Sequence, residues 1–456
     1  MLIGFDASRA FVWEATGTEN YSFNLLCSLA KIDRRNKYRV YLRESQSGKS
    51  GVKAGLYTRD FDFKLPNNFE LKIIRPRRLW TQIGLALETW RNPVDVLFVP
   101  AHTLPILRKR KIGEFQISNF KFQIDFFAKQ TKYVVTMHDL GVEFLPQYHS
   151  FPGKYYLDLA SKYASRSVDA IIAVSQATKR DLIRRYKISA EKIQVVYEGV
   201  DSGFFKAQSQ SRVKSVKSKY KIHGNYVLCV GTVQPRKNLE MLIRAFAQMI
   251  NSGPVSSFPP ASAPPHGGVR AVGSLSRTAT RMNQLSLVIA GKLGWDYQNI
   301  VDLPKELGIE NSVKFLGYVD REDLPSLYSG AAVFAFPSLF EGFGLPILEA
   351  LSCGCPVVAS DIAPHREISA EISRNLKLKI YNFKFDEVGV PMILVKPKDI
   401  NQWASILYQY ISQYDKRLTS ASLAKSIEAG RRILATKFSW EEVARQTLKV
   451  IVGVIQ

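Results

Sequence analysis

Acidic residues are scarce beside basic ones, cysteines are few, and no long apolar run interrupts the 456 residues. Each shortage excludes something. The four cysteines, Cys27, Cys229, Cys353 and Cys355, form no framework of pairs, and no second Cys/His pair at zinc spacing accompanies Cys353 and Cys355. A disulfide scaffold and a zinc module are thereby excluded, and buried thiols in a reducing compartment are expected. No stretch approaches the roughly 20 apolar residues that a spanning helix needs. The opening MLIGFDASRA has neither the basic leader nor the apolar core of a signal peptide. The expectation is a cytoplasmic protein that at most touches the inner face of a membrane. With 40 Asp and Glu against 63 Lys and Arg, the net charge of +23 favours an anionic partner, with plain solubility as the alternative. Nucleic acid is not expected, because the chain offers neither a basic, aromatic-lined groove nor a reading module.

What the chain does have is the composition of a globular protein, 46% hydrophobic and 23% charged, at a length that predicts two domains. An apolar run at Leu2 to Ala7 is followed by a loop through Gly17, and then by Phe23, Leu25, Leu26 and Leu29 at helical spacing. Strand, glycine loop and helix in that order open a Rossmann-like unit. Valine-rich runs at 94–101, 133–139, 169–175 and 192–200 read as buried strands. After a basic stretch at 208–221 a second series begins, with a strand at 226–232, a helix carrying Leu239, Leu242, Ile243 and Phe246, and the strands LSLVIAGK, VKFLGY, AAVFAFPS and PVVASD. Two series of alternating strands and helices predict two doubly wound α/β domains. Three segments break the pattern. Residues 251–284, rich in Pro, Ser and Gly, read as a flexible insertion. Residues 107–133 carry RKRK and an aromatic–polar alternation, and 368–391 read as polar and then extended, as in a hairpin.

Four constellations carry chemistry. In VFAFPSLFEGFGLPILEALSCGCPVVAS (333–360) a strand ends in a loop, and a helix starts at Leu345 and Pro346 and is closed by Gly354. A helix N-terminus at that edge of a parallel sheet suits an anion, and Gly342 and Gly344 allow close backbone approach. Glu341 and Glu349 frame the loop, and each carboxylate accepts hydrogen bonds from two hydroxyls. By spacing alone Glu349 reads equally well as an acid complementing the helix dipole. In GTVQPRKNLE (231–240), Arg236 and Lys237 stand at a helix entrance, where two cations suit a diphosphate, with a solvated basic helix start as the alternative. His138 and Asp139 stand at the end of the strand YVVTMHD, where a lone histidine reads more readily as structural. Gly17 and Thr18 offer amide N–H groups before the first helix, although a single glycine also fits a simple turn.

With two glutamates separated by seven residues, FPSLFEGFGLPILEALSCGCPVVAS resembles the signature of glycosyltransferase family 4. The resemblance implies a GT-B fold, two Rossmann-like doubly wound domains facing a central cleft. An acceptor domain at 1–205 regains a C-terminal helix at 436–456, and a donor domain occupies 206–435. It implies that Glu341 contacts the donor sugar and Glu349 the ribose, while the backbone of Gly342, Phe343, Gly344 and Leu345 meets the donor. Arg236 and Lys237 would hold the diphosphate, without the arginine that many members carry where Thr232 stands here. The HDL at 138–140 looks like the family motif that orients the sugar, with His138 against it and Asp139 positioning His138 or binding acceptor. Gly17 and Thr18 would face the diphosphate.

The family retains anomeric configuration, and the sequence offers no unambiguous carboxylate for double displacement; front-face departure and attack is the implied route. No metal or cofactor is expected. The expected donor is GDP-mannose or a UDP-sugar, the former because HDLGVEFLP and VGTVQPRKN look most like mannosyltransferases. The expected acceptor is a glycan or lipid-linked sugar of cell-surface polysaccharide synthesis. The basic runs at 75–80 and 108–111 suit an anionic membrane face. Two alternatives remain at this point: a GT-B nucleotide-sugar epimerase, which turns over donor without acceptor, and a non-catalytic basic binding protein, against which the intact Glu341, Glu349, Arg236, Lys237 and His138 argue.

Overall fold

The structure, a computed structural model, describes residues 1–12, 17–43, 65–75, 80–105, 131–140, 153–251, 285–376, 392–412, 428 and 431–456. Residues 252–284 of the expected insertion, 76–79 of the first basic run and the RKRK run lie outside them. The chain divides into two compact units, Met1–Gly199 with Trp440–Gln456, and Val200–Ser439.

Unit 1 runs β1 (Leu2–Asp6), α1 (Gly17–Ile32), β2 (Lys37–Arg43), β3 (Phe69–Ile74), a π-helical turn at Trp80–Leu85 leading into α2 (Ala86–Arg91), β4 (Val96–Val99), β5 (Lys132–Met137), α3 (Gly153–Ser167), β6 (Ala170–Ala173), α4 (Gln176–Tyr186) and β7 (Ile193–Val195). Strands β4 and β6 are buried at every residue. Runs apolar on both faces need cover on both faces, which a parallel sheet between helices provides. The sheet is parallel throughout, in the order β3-β2-β1-β4-β5-β6-β7.

Unit 2 runs α5 (Gln210–Lys219), β8 (Tyr226–Val230), α6 (Leu239–Asn251), β9 (Ser286–Ala290), α7 (Gln298–Glu306), β10 (Val313–Gly317), α8 (Leu324–Gly330), β11 (Val333–Phe336), α9 (Leu345–Ser352), β12 (Val357–Ser360), α10 (Ala363–Leu376), β13 (Met392–Val395) and α11 (Ile400–Ser412). Its sheet, also parallel, has the order β10-β9-β8-β11-β12-β13. Both sheets turn back on themselves once, between β1 and β4 and between β8 and β11. At such a reversal the loops leaving the two central strands part and leave room for a ligand at the carboxyl edge. Of the segment 368–391, residues 368–376 continue α10, and 377–391, where the extended part was expected, lie outside the described residues.

The chain re-enters unit 1 as α12 (Trp440–Gly453), which packs on α1 through Trp440, Val443, Ala444, Thr447 and Ile451, with Leu448 half-buried at the margin. Gly199 leaves no room for a side chain, since a Cβ there would stand 2.9 Å from the Trp440 ring. None of the four cysteines forms a disulfide, and three are buried. Among the described residues no helix is long and apolar enough to cross a membrane.

Candidate active site

In unit 2, β8 delivers Gly231, whose φ of +150° is easy only for glycine. Gly291, after β9, approaches it so closely that a Cβ would stand 2.0 Å from the Gly231 carbonyl oxygen. The chain then makes a tight turn at Pro235–Lys237 before α6. Asn238 closes that turn in the left-handed region, φ +56°. Its side-chain amide donates to the carbonyls of Pro337 (3.0 Å) and Pro397 (2.7 Å), tying the turn to the ends of β11 and β13. Leu339 N–H donates to the Arg236 carbonyl at 3.0 Å, so the loop after β11 is knitted to the turn after β8.

This knitting brings Arg236 and Lys237 to Glu341. The Lys237 ammonium donates to Glu341 Oε1 and lies 4.9 Å above the Phe336 ring. Both side chains are nearly enclosed, 13% and 11% exposed. Burial opposes ionisation of Glu341, but the charges of Lys237 and then Arg236 hold its carboxyl below the ordinary value. Gly342, Phe343 and Gly344 are buried in the same loop. Gly344, at φ +137°, precedes α9, and a Cβ there would press on Ile347 (3.2 Å), Ile368 (3.3 Å) and His365 (3.4 Å). Leu345 and Pro346 open α9 as the sequence predicts.

Glu349 lies in the second turn of α9 and keeps separate company. Tyr328 Oη donates to its Oε2 at 2.9 Å. Burial pushes its carboxyl up to about 7, against the Tyr328 hydrogen bond and the Arg321 charge. An acid merely complementing the helix dipole would sit in the first turn and stay ionised.

In unit 1, Gly17 and Thr18 are the first residues of α1, after β1. Nothing stands within 4 Å of a Cβ at Gly17, so packing does not demand the glycine. His138 and Asp139 follow β5. His138 is buried, its Nδ1 2.9 Å from Glu198 Oε1 and its Nε2 3.1 Å from the Pro100 carbonyl oxygen. Two acceptors at the two ring nitrogens favour the doubly protonated ring. Burial works against that charge, but the Glu198 hydrogen bond and carboxylate, with the Pro100 carbonyl, raise the pKa of His138. Asp139 reaches the ring through its charge, and Glu198 accepts the hydrogen bond that orients the ring. Tyr21 of α1 meets the imidazole edge-on at 4.7 Å, which joins α1 to the end of β5.

Sequence reasoning missed Glu198, Tyr328, Asn238 and His365. Glu198 had a signal, being an acid near the carboxyl end of a strand predicted over 192–200; the observed strand ends earlier, at Val195. His365 is wholly buried, and its Nδ1–H donates to the Ser360 carbonyl (2.8 Å). Burial pushes that ring down to about 4, leaving it a neutral neighbour of Glu341 and Lys237. Among the described residues no group of three His, Cys, Asp or Glu is placed to hold a metal ion.

A family model described as Glycosyltransferase Family 4 matches residues 16–204, and one described as Glycosyl transferases group 1 matches 265–376. The chain is 28% identical over 318 residues to O-antigen chain mannosyltransferase B of Escherichia coli, covering 69% of this chain and 68% of that protein. It is 24% identical over 306 residues to the serotype-specific mannosyltransferase WbdA of Escherichia coli, covering 66% of this chain but only 31% of WbdA. Among solved structures, HepE of Anabaena in complex with UDP-glucose superposes with a TM-score of 0.63 at 19% identity, covering 99% of this chain and 100% of HepE. At that identity the likeness is one of fold, and the fold is GT-B.

Proposed function

The chain belongs to glycosyltransferase family 4 as a hexosyltransferase, and on that footing we propose that it moves mannose from GDP-mannose to a glycan or lipid-linked acceptor in cell-surface polysaccharide synthesis. The observation that carries this reading is the meeting of Lys237 and Glu341 where β8 and β11 lie side by side. A sugar nucleotide has two kinds of group to satisfy, an anionic diphosphate and a set of hydroxyls. A cation and a carboxylate at one sheet edge, beside the N-terminus of α9, supply both.

On this reading Arg236, Lys237 and the backbone from Gly342 to Leu345 take the diphosphate and stabilise it as it departs, without a metal. Glu341 accepts sugar hydroxyls, and Glu349 the ribose hydroxyls. For Gly17 and Thr18, at the start of α1, the phosphate role is the one that the family resemblance implies. His138 contributes orientation of the sugar rather than proton transfer, because both its ring nitrogens are already engaged. Asp139 adds its charge beside that ring or receives the acceptor. Retention of anomeric configuration and work in the cytoplasm, at the inner membrane face when the acceptor is lipid-linked, belong to the same proposal. The two mannosyltransferase relatives support mannose and an O-antigen-like product.

Thermal unfolding with GDP-mannose, GDP, UDP-glucose and UDP in the presence of a chelator tests the reading. A ligand at a hundred times its Kd stabilises by about 2.7 kcal/mol. GDP-mannose and GDP are expected to raise the midpoint, and the uridine nucleotides are not. A response confined to UDP and UDP-glucose would move the donor to a UDP-sugar, and no response to any of the four would overturn the donor site.

A further inference from the structure

We infer that Glu341 makes the site discriminate between sugar nucleotide and spent nucleoside diphosphate, by occupying Lys237 until a sugar arrives; the inference rests on the donor site proposed above. The lysine assigned to the diphosphate is not waiting in solvent. It is nearly enclosed and bonded to Glu341, with its stem against Gly231, where a Cβ would lie 3.4 Å from Lys237 Cε, and its ammonium over Phe336. A diphosphate that takes Lys237 must therefore separate it from a carboxylate that has little water to turn to. A buried charge stripped of its partner is costly.

The two nucleotides meet that cost differently. A sugar nucleotide brings hydroxyls, whose O–H groups replace the ammonium as donors to Glu341. A bare nucleoside diphosphate brings none. Its terminal phosphate is also a free monoester-like group, ionising a second time near pH 6, and so carries up to one more negative charge than the esterified phosphate of the donor. Glu341 thus loses its partner and gains a like charge beside it. The charges of Lys237 and Arg236 that keep the Glu341 carboxyl ionised are the same ones the phosphates claim. The consequence is a weak hold on the product, which favours its release after transfer.

The test is calorimetric titration of the full chain and of Glu341→Gln, with GDP and GDP-mannose and, in parallel, UDP and UDP-glucose. Glutamine keeps the shape and removes the charge. The expected result is bare diphosphate bound about tenfold more tightly by the variant than by the parent, and sugar nucleotide bound more weakly, so that the preference for the donor shrinks or reverses. Glu341→Asp, which withdraws the carboxylate by one methylene from Lys237, is expected to shift the bare diphosphate in the same direction by less, and it carries the test if the glutamine variant does not fold. Unchanged or weaker binding of bare diphosphate by the folded variant overturns the inference while leaving the donor site standing. Failure of the parent chain to bind any of the four overturns both.

Discussion

Glu349 is a carboxyl held near pH 7 by burial, although the task proposed for it, accepting two ribose hydroxyls, needs the ionised form. Between the ordinary value of 4.5 and about 7 the folded chain holds a proton there that the unfolded chain has lost. Its contribution to stability is therefore complete at low pH and disappears as pH rises through about 7. Nucleotide binding runs the other way, because the ligand selects the carboxylate. Affinity for the preferred nucleotide is expected to be roughly tenfold weaker at pH 6 than at pH 8, the factor that one unit below the pKa imposes. Glu349→Gln should bind weakly at both and lose that slope, which titrations across the range will read. The candidacy of Glu341, Glu349, Arg236 and Lys237 was legible because each lies within ten residues of a glycine loop and a helix start. The pairing of His138 with Glu198 was not, because 60 residues separate them and only the side-by-side placement of β5, β6 and β7 brings them to one sheet edge.

Elements show the same divide. Runs such as VLFV and VFAF declare buried parallel strands, since nothing else accommodates residues apolar on both faces. Strands β2 and β3 went unread because their composition is mixed. In KYRVYLR the buried Tyr38, Val40 and Tyr41 stand among Lys37, Arg39 and Arg43, and FELKII, on the sheet edge, exposes Glu70, Leu71 and Ile73. They are held by neighbours distant in sequence, such as the stacking of Tyr38 on Phe69 at 4.1 Å. The turn at Pro235–Lys237 depends likewise on a residue whose role only the fold displays. Asn238 tolerates a left-handed conformation and bridges the ends of β11 and β13. Asn238→Ala should cost about 2–3 kcal/mol, combining two lost hydrogen bonds with the left-handed penalty. Asn238→Gly removes only the bonds and should cost less. Denaturant unfolding gives both numbers. If the turn positions Lys237, both variants will also bind nucleoside diphosphate more weakly than their stability loss accounts for.

At the scale of the whole chain, two stretches without a visible repeat have built sheets that share one strand order about their reversal point. The strands and helices could be read locally, but their spatial order follows from the handedness of crossovers and from which strand reaches the centre first. Less legible still was what the last helix touches. Trp440 opens α12, abuts Gly199 and meets Tyr21 at 5.7 Å; Tyr21 in turn meets His138 at 4.7 Å and lies within 3.3 Å of Thr136 through its hydroxyl. The end of the sequence is thus packed, through one tyrosine, onto the histidine assigned to sugar orientation. Trp440→Ala empties a site that is 7% exposed and should destabilise by about 3–5 kcal/mol, the usual range for a buried tryptophan. Because α12 belongs to unit 1, amide exchange is expected to quicken in β1, β5 and α1 and to stay unchanged in β8 and β11. Equal acceleration in both sheets would mean that the two units unfold as one, and the separate core assigned to each would have to be given up.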